Sequence, residues 1–123
     1  MTGTLYRDRI MEHYRDPDNR GVIEDPDLEI EVSNPNCGDR LQLTARLSDG
    51  RLEELRFEGE GCALSIASAS ILTGELEGSK AGEDVDGDEL FEDMGLDRDD
   101  VSPMRRKCVE LPLEGYERMV KEG

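Results

Sequence analysis

Residues 52–76 read LEELRFEGEGCALSIASASILTGEL, and the change of pattern inside this stretch decides the fold. Leu52, Leu55 and Phe57 are spaced as the inward side of a strand, with one phase slip at Glu53-Glu54 that a bulge would absorb. From Ala63 to Leu76 the alternation is gone. Leu64, Ile66, Ala67, Ala69, Ile71 and Leu72 are separated only by serines, so the segment is apolar or small nearly all round. That pattern predicts a central helix buried on every side, closed by Gly78. Gly59-Glu60-Gly61-Cys62 joins strand to helix, and the helix dipole at Cys62 favours a thiolate.

Toward the N-terminus, Ser48-Asp49-Gly50 is a turn signal. Before it, Leu41, Leu43, Ala45 and Leu47 alternate with polar residues, as Leu28, Ile30 and Val32 do further upstream. One-sided alternation fits an antiparallel sheet with one wet face. Leu5 to Tyr14 reads as a helix with Thr4 as its N-cap, ended at Asp16-Pro17 because the residue before proline avoids the helical region. Toward the C-terminus, residues 75–100 hold twelve acids and two bases, net -10, and predict a short helix near Asp88 to Met94 lying wholly at the surface. Pro103 to Glu122 is helical in pattern, with Pro112 expected to kink it or to start a second helix. The fold class is α+β: a three-stranded antiparallel sheet with helices packed on one face, in one domain over residues 1–123.

The chain has three cysteines, an odd number that argues against a disulfide framework and for thiolate or metal chemistry. Cys37 lies in Asn34-Pro35-Asn36-Cys37-Gly38-Asp39, a turn that also carries a carboxylate. Cys62 opens the central helix. Cys108 follows Arg105-Arg106-Lys107, whose charge favours a thiolate and attracts an anionic sulfur group. Each alone is equally a small core residue. Together, three thiolates and one carboxylate are a donor set for tetrahedral zinc. The separations, 24 and 45 intervening residues, are not those of zinc fingers.

These motifs resemble the iron–sulfur cluster assembly scaffolds of the IscU family and the NifU N-terminal domain, most of all the SufU branch. The resemblance rests on Leu5-Tyr6-Arg7, Ile10-Met11, His13-Tyr14, Pro17, Asn19 and Gly21, on the three cysteine loops, and on the run from Gly59 to Ser70. It implies a SufE/NifU-like fold and a metal site of Cys37, Asp39, Cys62 and Cys108 for zinc, iron or a transient [2Fe–2S] cluster. It also implies partners: a cysteine desulfurase of the SufS or IscS kind as sulfur donor, and apo iron–sulfur proteins as recipients. Lys107 stands where Isc-type members have histidine, which resembles the zinc-dependent sulfurtransferases. The short interval between Cys62 and Cys108 resembles the scaffolds. The Lys107 likeness makes Cys37 the expected sulfur acceptor, with Cys108 the alternative, and Arg105, Arg106 and Lys107 the docking surface. A structural zinc domain without sulfur transfer is the rival reading. An electron carrier would use four cysteines. His13, the only histidine, is expected to be structural.

The formal charge is -16, from 31 acids against 15 bases, which excludes phosphate-rich partners such as nucleic acid or an anionic membrane surface. The longest apolar stretch, Cys62 to Gly74, is too short to span a bilayer. No apolar leader follows Met1, so a cytoplasmic location is expected. Only three of the bases are lysine. A large acidic excess poor in lysine is the composition of proteins that work in high salt, where screening relieves self-repulsion. The melting temperature is therefore expected to rise markedly from low to molar KCl, read by circular dichroism; a flat profile contradicts the halophilic reading.

Overall fold

The computed structural model describes residues 2–35 and 38–122. Helix α1 (Thr2–Arg15) leads through an irregular segment into strands β1 (Leu28–Asn34), β2 (Asp39–Ser48) and β3 (Arg51–Glu60). Helices α2 (Ala63–Leu76), α3 (Gly87–Asp93) and α4 (Pro103–Glu122) follow, with a 3-10 turn (Arg98–Asp100) before the last. Thr4 lies inside α1 rather than capping it, because the helix begins at Thr2, three residues earlier than its apolar spacing indicates.

The sheet is antiparallel in the order β1-β2-β3. Asp49 and Gly50 both take positive φ, 53° and 79°, which is the two-residue hairpin turn whose twist matches the strands it joins. The bulge falls where the phase slips. Arg46 pairs with Glu54 and Leu47 with Leu52, leaving Glu53 as the extra residue. Without it Leu52 and Leu55 would face opposite sides; with it Leu52, Leu55 and Phe57 are all buried. The second face of the sheet is not wholly wet. Thr44 is buried there and its hydroxyl accepts from the Ile23 amide at 3.1 Å. The incoming chain also adds to the free edge of β3, where Phe57 N–H donates to the Asn19 carbonyl and Gly21 N–H to the Phe57 carbonyl.

Helix α2 is buried from Ser65 to Thr73 without a gap. Its hydroxyls are accommodated one by one. Ser68 donates to the Val109 carbonyl at 2.6 Å and Thr73 to the Ala69 carbonyl at 2.7 Å. Ser70 accepts from the Asp18 amide at 2.7 Å and meets His13 Nδ1 at 2.7 Å. His13 thus ties α1 to α2, a structural role. Helix α4 crosses the sheet closely because residue 115 is glycine: a Cβ there would stand 3.0 Å from Val32 and 3.1 Å from Leu43. It also runs unbroken through Pro112, so no second helix starts there. The proline gives up one ladder bond, to the carbonyl of Cys108 four residues back.

The acidic segment is not wholly at the surface. Leu90, Phe91 and Met94 are buried, so α3 is amphipathic and joins the core. Arg98 clamps it to α4 by bonding Asp88 at 3.0 Å and Glu110 at 2.9 Å, with its guanidinium 5.5 Å from the Phe91 ring centre.

Where α2 meets α3, Glu75 has its pKa pushed up to about 7. Loss of solvent around the carboxyl contributes most, although part of the side chain stays exposed. The hydrogen bond and charge of Asp93 come next, and Glu89 adds to them against the opposing charge of Arg9 on α1. A carboxyl raised in the folded state binds its proton more tightly than in the unfolded chain. It therefore favours folding below the ordinary value of 4.5, and that contribution is lost as pH rises to about 7. Glu75→Gln is expected to raise the melting temperature at pH 8 relative to wild type, with the gain vanishing near pH 4.5; an equal difference at both pH values contradicts this.

Candidate metal centre

Three of the four expected ligand residues fall within the described part of the chain, and the fold brings them together. Asp39 is the first residue of β2. It points to the core side, two residues from Leu41 along the alternation, and is buried. Cys62 is the N-cap of α2 and is exposed. Cys108 lies inside the second turn of α4, not at an element edge, and is buried. One carboxylate oxygen of Asp39 and the two sulfurs lie within 4.8 Å of one another. Ligand atoms around a tetrahedral zinc stand roughly 3.5–3.8 Å apart, as bonds of about 2.0–2.3 Å require, so small movements would complete the site. Cys37 lies outside the described residues.

The two oxygens of Asp39 are not equivalent. Oδ1 accepts the Cys62 amide at 2.9 Å, whereas Oδ2 is buried with no hydrogen-bond partner among the described residues. A buried oxygen without a partner carries a desolvation cost that a metal ion beside two thiols would remove. The donor set is sulfur-rich with one carboxylate, which fits zinc or an iron–sulfur cluster and not calcium or magnesium.

The junction before α2 allows the close approach. A Cβ on Gly61 would stand 2.5 Å from Ser65 Oγ and 2.8 Å from Asp39 Oδ1. The Ser65 hydroxyl donates to the Cys62 carbonyl at 3.1 Å and lies 3.6 Å from Cys62 Sγ. The glycines of the junction read in the sequence as room for a close approach, which Gly61 fulfils, whereas Ser65 does not stand out as a site residue. The available signal was the Cys-x-x-Ser spacing at a helix start, the geometry in which a residue reaches back to the N-cap. The basic run divides in three. Arg106 turns inward and its Nε donates to the Val101 carbonyl at 2.8 Å. Arg105 lines a cavity of about 630 Å³ with Ile10, Met11 and Leu64. Lys107 is exposed and lines a separate groove with Asn34 and Pro35. His13 lies apart from the cluster, bonded to Ser70. No helix among the described residues is long and apolar enough to cross a membrane.

An α+β fold that gathers two thiols and a buried carboxylate at one end of its sheet defines a thiolate metal-binding protein. The model of the NifU-like N terminal domain family matches residues 5–122, and the chain belongs to that family. It is 36% identical to the zinc-dependent sulfurtransferase SufU of Bacillus subtilis, over 95% of this chain and 90% of the relative. It is 34% identical to the iron–sulfur cluster assembly scaffold protein IscU 1 of Archaeoglobus fulgidus, over 94% of this chain and 74% of the relative. Among solved structures it resembles a SUF-system assembly scaffold protein from Fervidobacterium islandicum. That likeness has a TM-score of 0.78 and 25% identity, covering 91% of this chain and 93% of the other.

Gly61→Ala is expected to weaken zinc binding by roughly 10-fold or more, because the added carbon pushes Asp39 and Ser65 apart. Competition with a chromophoric chelator measures this; unchanged affinity contradicts it.

Proposed function

We propose that this chain is a sulfur-accepting protein of iron–sulfur cluster biogenesis, built on a centre of Cys37, Asp39, Cys62 and Cys108. The observation that carries the reading is the convergence of Asp39, Cys62 and Cys108, with Oδ2 of Asp39 buried and without a hydrogen-bond partner among the described residues. Zinc, when bound, would hold the thiols deprotonated and close together. The acceptor is Cys37, which precedes Gly38 in the sequence, with the other three residues supplied by a strand, a helix cap and a helix.

The donor is the persulfide of a cysteine desulfurase. The Cys37 thiolate attacks its outer sulfur, a new sulfur–sulfur bond forms, the donor's sulfur–sulfur bond breaks, and the donor cysteine leaves as a thiolate. No external electron is needed. The sulfur then passes onward for apo iron–sulfur proteins. Arg105 and Lys107, both exposed beside the centre, offer cations to the desulfurase in a chain whose net charge is otherwise strongly negative. Arg106 supports that surface from inside through its bond to Val101.

Lys107 before the third cysteine and the likeness to the Bacillus subtilis sulfurtransferase favour transfer of sulfur. The scaffold reading, in which a [2Fe–2S] cluster is assembled as cargo, is favoured by the short interval from Cys62 to Cys108 and the likeness to the Archaeoglobus fulgidus scaffold. The same proposal places the whole chain, as one domain, in the cytoplasm of a salt-adapted cell.

Persulfide trapping after incubation with a desulfurase tests the assignment. Wild type and Cys108→Ser are expected to gain the sulfur label and Cys37→Ser to lose it. If Cys37→Ser keeps the label while Cys108→Ser loses it, Cys108 is the acceptor. If no variant is labelled and zinc is present at one per chain, the rival structural zinc domain takes over.

A further inference from the structure

Ser65 is completely buried. Its hydroxyl has one hydrogen and two neighbours that can take it: the Cys62 carbonyl at 3.1 Å and Cys62 Sγ at 3.6 Å. The carbonyl does not depend on Ser65, because it also accepts the Ile66 amide at 3.1 Å. The hydroxyl can therefore turn away and leave no buried acceptor unsatisfied. Its preference is set by the state of the sulfur. A neutral thiol is a weak acceptor, and the carbonyl wins. A thiolate is an anion, and a hydrogen bond to it is charge-assisted and stronger.

The position of Ser65 relative to Asp39 points the same way. One Cβ placed on Gly61 would crowd both Ser65 Oγ and Asp39 Oδ1. The serine hydroxyl and the aspartate thus flank the same turn of backbone. Asp39 Oδ1 is already bonded to the Cys62 amide. Cys62 then has its main-chain N–H held by one site residue and its sulfur within reach of the other.

We propose that Ser65 is a positioning residue of the centre, whose hydroxyl swings from the Cys62 carbonyl to the Cys62 sulfur when that sulfur ligates a metal, so that Cys62 is the ligand that stays while another cysteine takes the incoming sulfur. The proposal rests on the reading of Asp39, Cys62 and Cys108 as a metal centre. A thiolate that accepts a hydrogen bond is fixed in place, holds its electron pairs at lower energy and is a weaker nucleophile toward an incoming persulfide. Ser65 therefore keeps Cys62 at the metal and leaves the attack to another cysteine.

Cobalt(II) in place of zinc makes the sulfur visible through its sulfur-to-metal charge-transfer absorption. Ser65→Ala keeps the Cβ and removes only the oxygen. It is expected to bind one cobalt with affinity lowered roughly 10-fold and with the charge-transfer band moved to longer wavelength. Ser65→Thr, which keeps the hydroxyl, is expected to restore the wild-type band position. If the Ser65→Ala band superimposes on wild type, or Ser65→Thr shifts as alanine does, the hydroxyl does not reach the sulfur and the proposal is overturned while the metal centre stands. If wild type itself shows no thiolate-to-cobalt band, the metal-centre reading fails and the proposal falls with it.

Discussion

The hydrogen bond from the Cys62 amide to Oδ1 of Asp39 is the constraint on which the centre depends. It joins the start of β2 to the cap of α2, two points far apart in the chain. By engaging Oδ1 it fixes the carboxylate, one of whose oxygens lies within 4.8 Å of both sulfurs, while Oδ2 is buried with no hydrogen-bond partner among the described residues. A carboxylate oxygen buried without a hydrogen is costly to leave alone. Among the described carboxylates the fold accepts that cost at Asp39, beside thiols that can share a cation with it. Such local expense is the mark of a site rather than of a core.

Everything around this bond serves to bring a helix and a sheet into close contact. Helix α2 is lined with alanine and serine, so α1, α4 and β3 can approach it from several sides. Its hydroxyls bond to carbonyls of α2 and α4, to the His13 ring or to the Asp18 amide, and so do not disturb the apolar packing. Helix α4 comes down on Val32 and Leu43 at Gly115, and this seats Cys108 at depth. Arg98 anchors Glu110, two residues beyond Cys108, to the acidic segment. Cys108 is thus buried on an anchored helix, whereas Cys62 is held by its amide and stays exposed.

Much of this was legible in the residues themselves. The phase slip at Glu53-Glu54 is the bulge, and the uniform run from Ala63 to Leu76 is the buried helix, because both are local patterns that only one backbone geometry satisfies. Asp39 and the cysteines stood out by residue type. The start of α1 at Thr2 rather than after Thr4 was not legible, since a helix can extend past its apolar stripe. Burial of Leu90, Phe91 and Met94 was hidden by the twelve acids around them: charge density masks a narrow apolar face. The continuity of α4 through Pro112 follows from tertiary packing on both sides of the proline, which overrides its local cost. Ser65 declares itself only in space.

The central claim is a sulfur-rich centre completed by one carboxylate oxygen. X-ray absorption at the zinc edge on the zinc-loaded protein tests it directly. Three sulfur neighbours at about 2.3 Å and one oxygen neighbour at about 2.0–2.2 Å are predicted. A shell of oxygen and nitrogen alone, or of sulfur with no oxygen neighbour, would contradict the account.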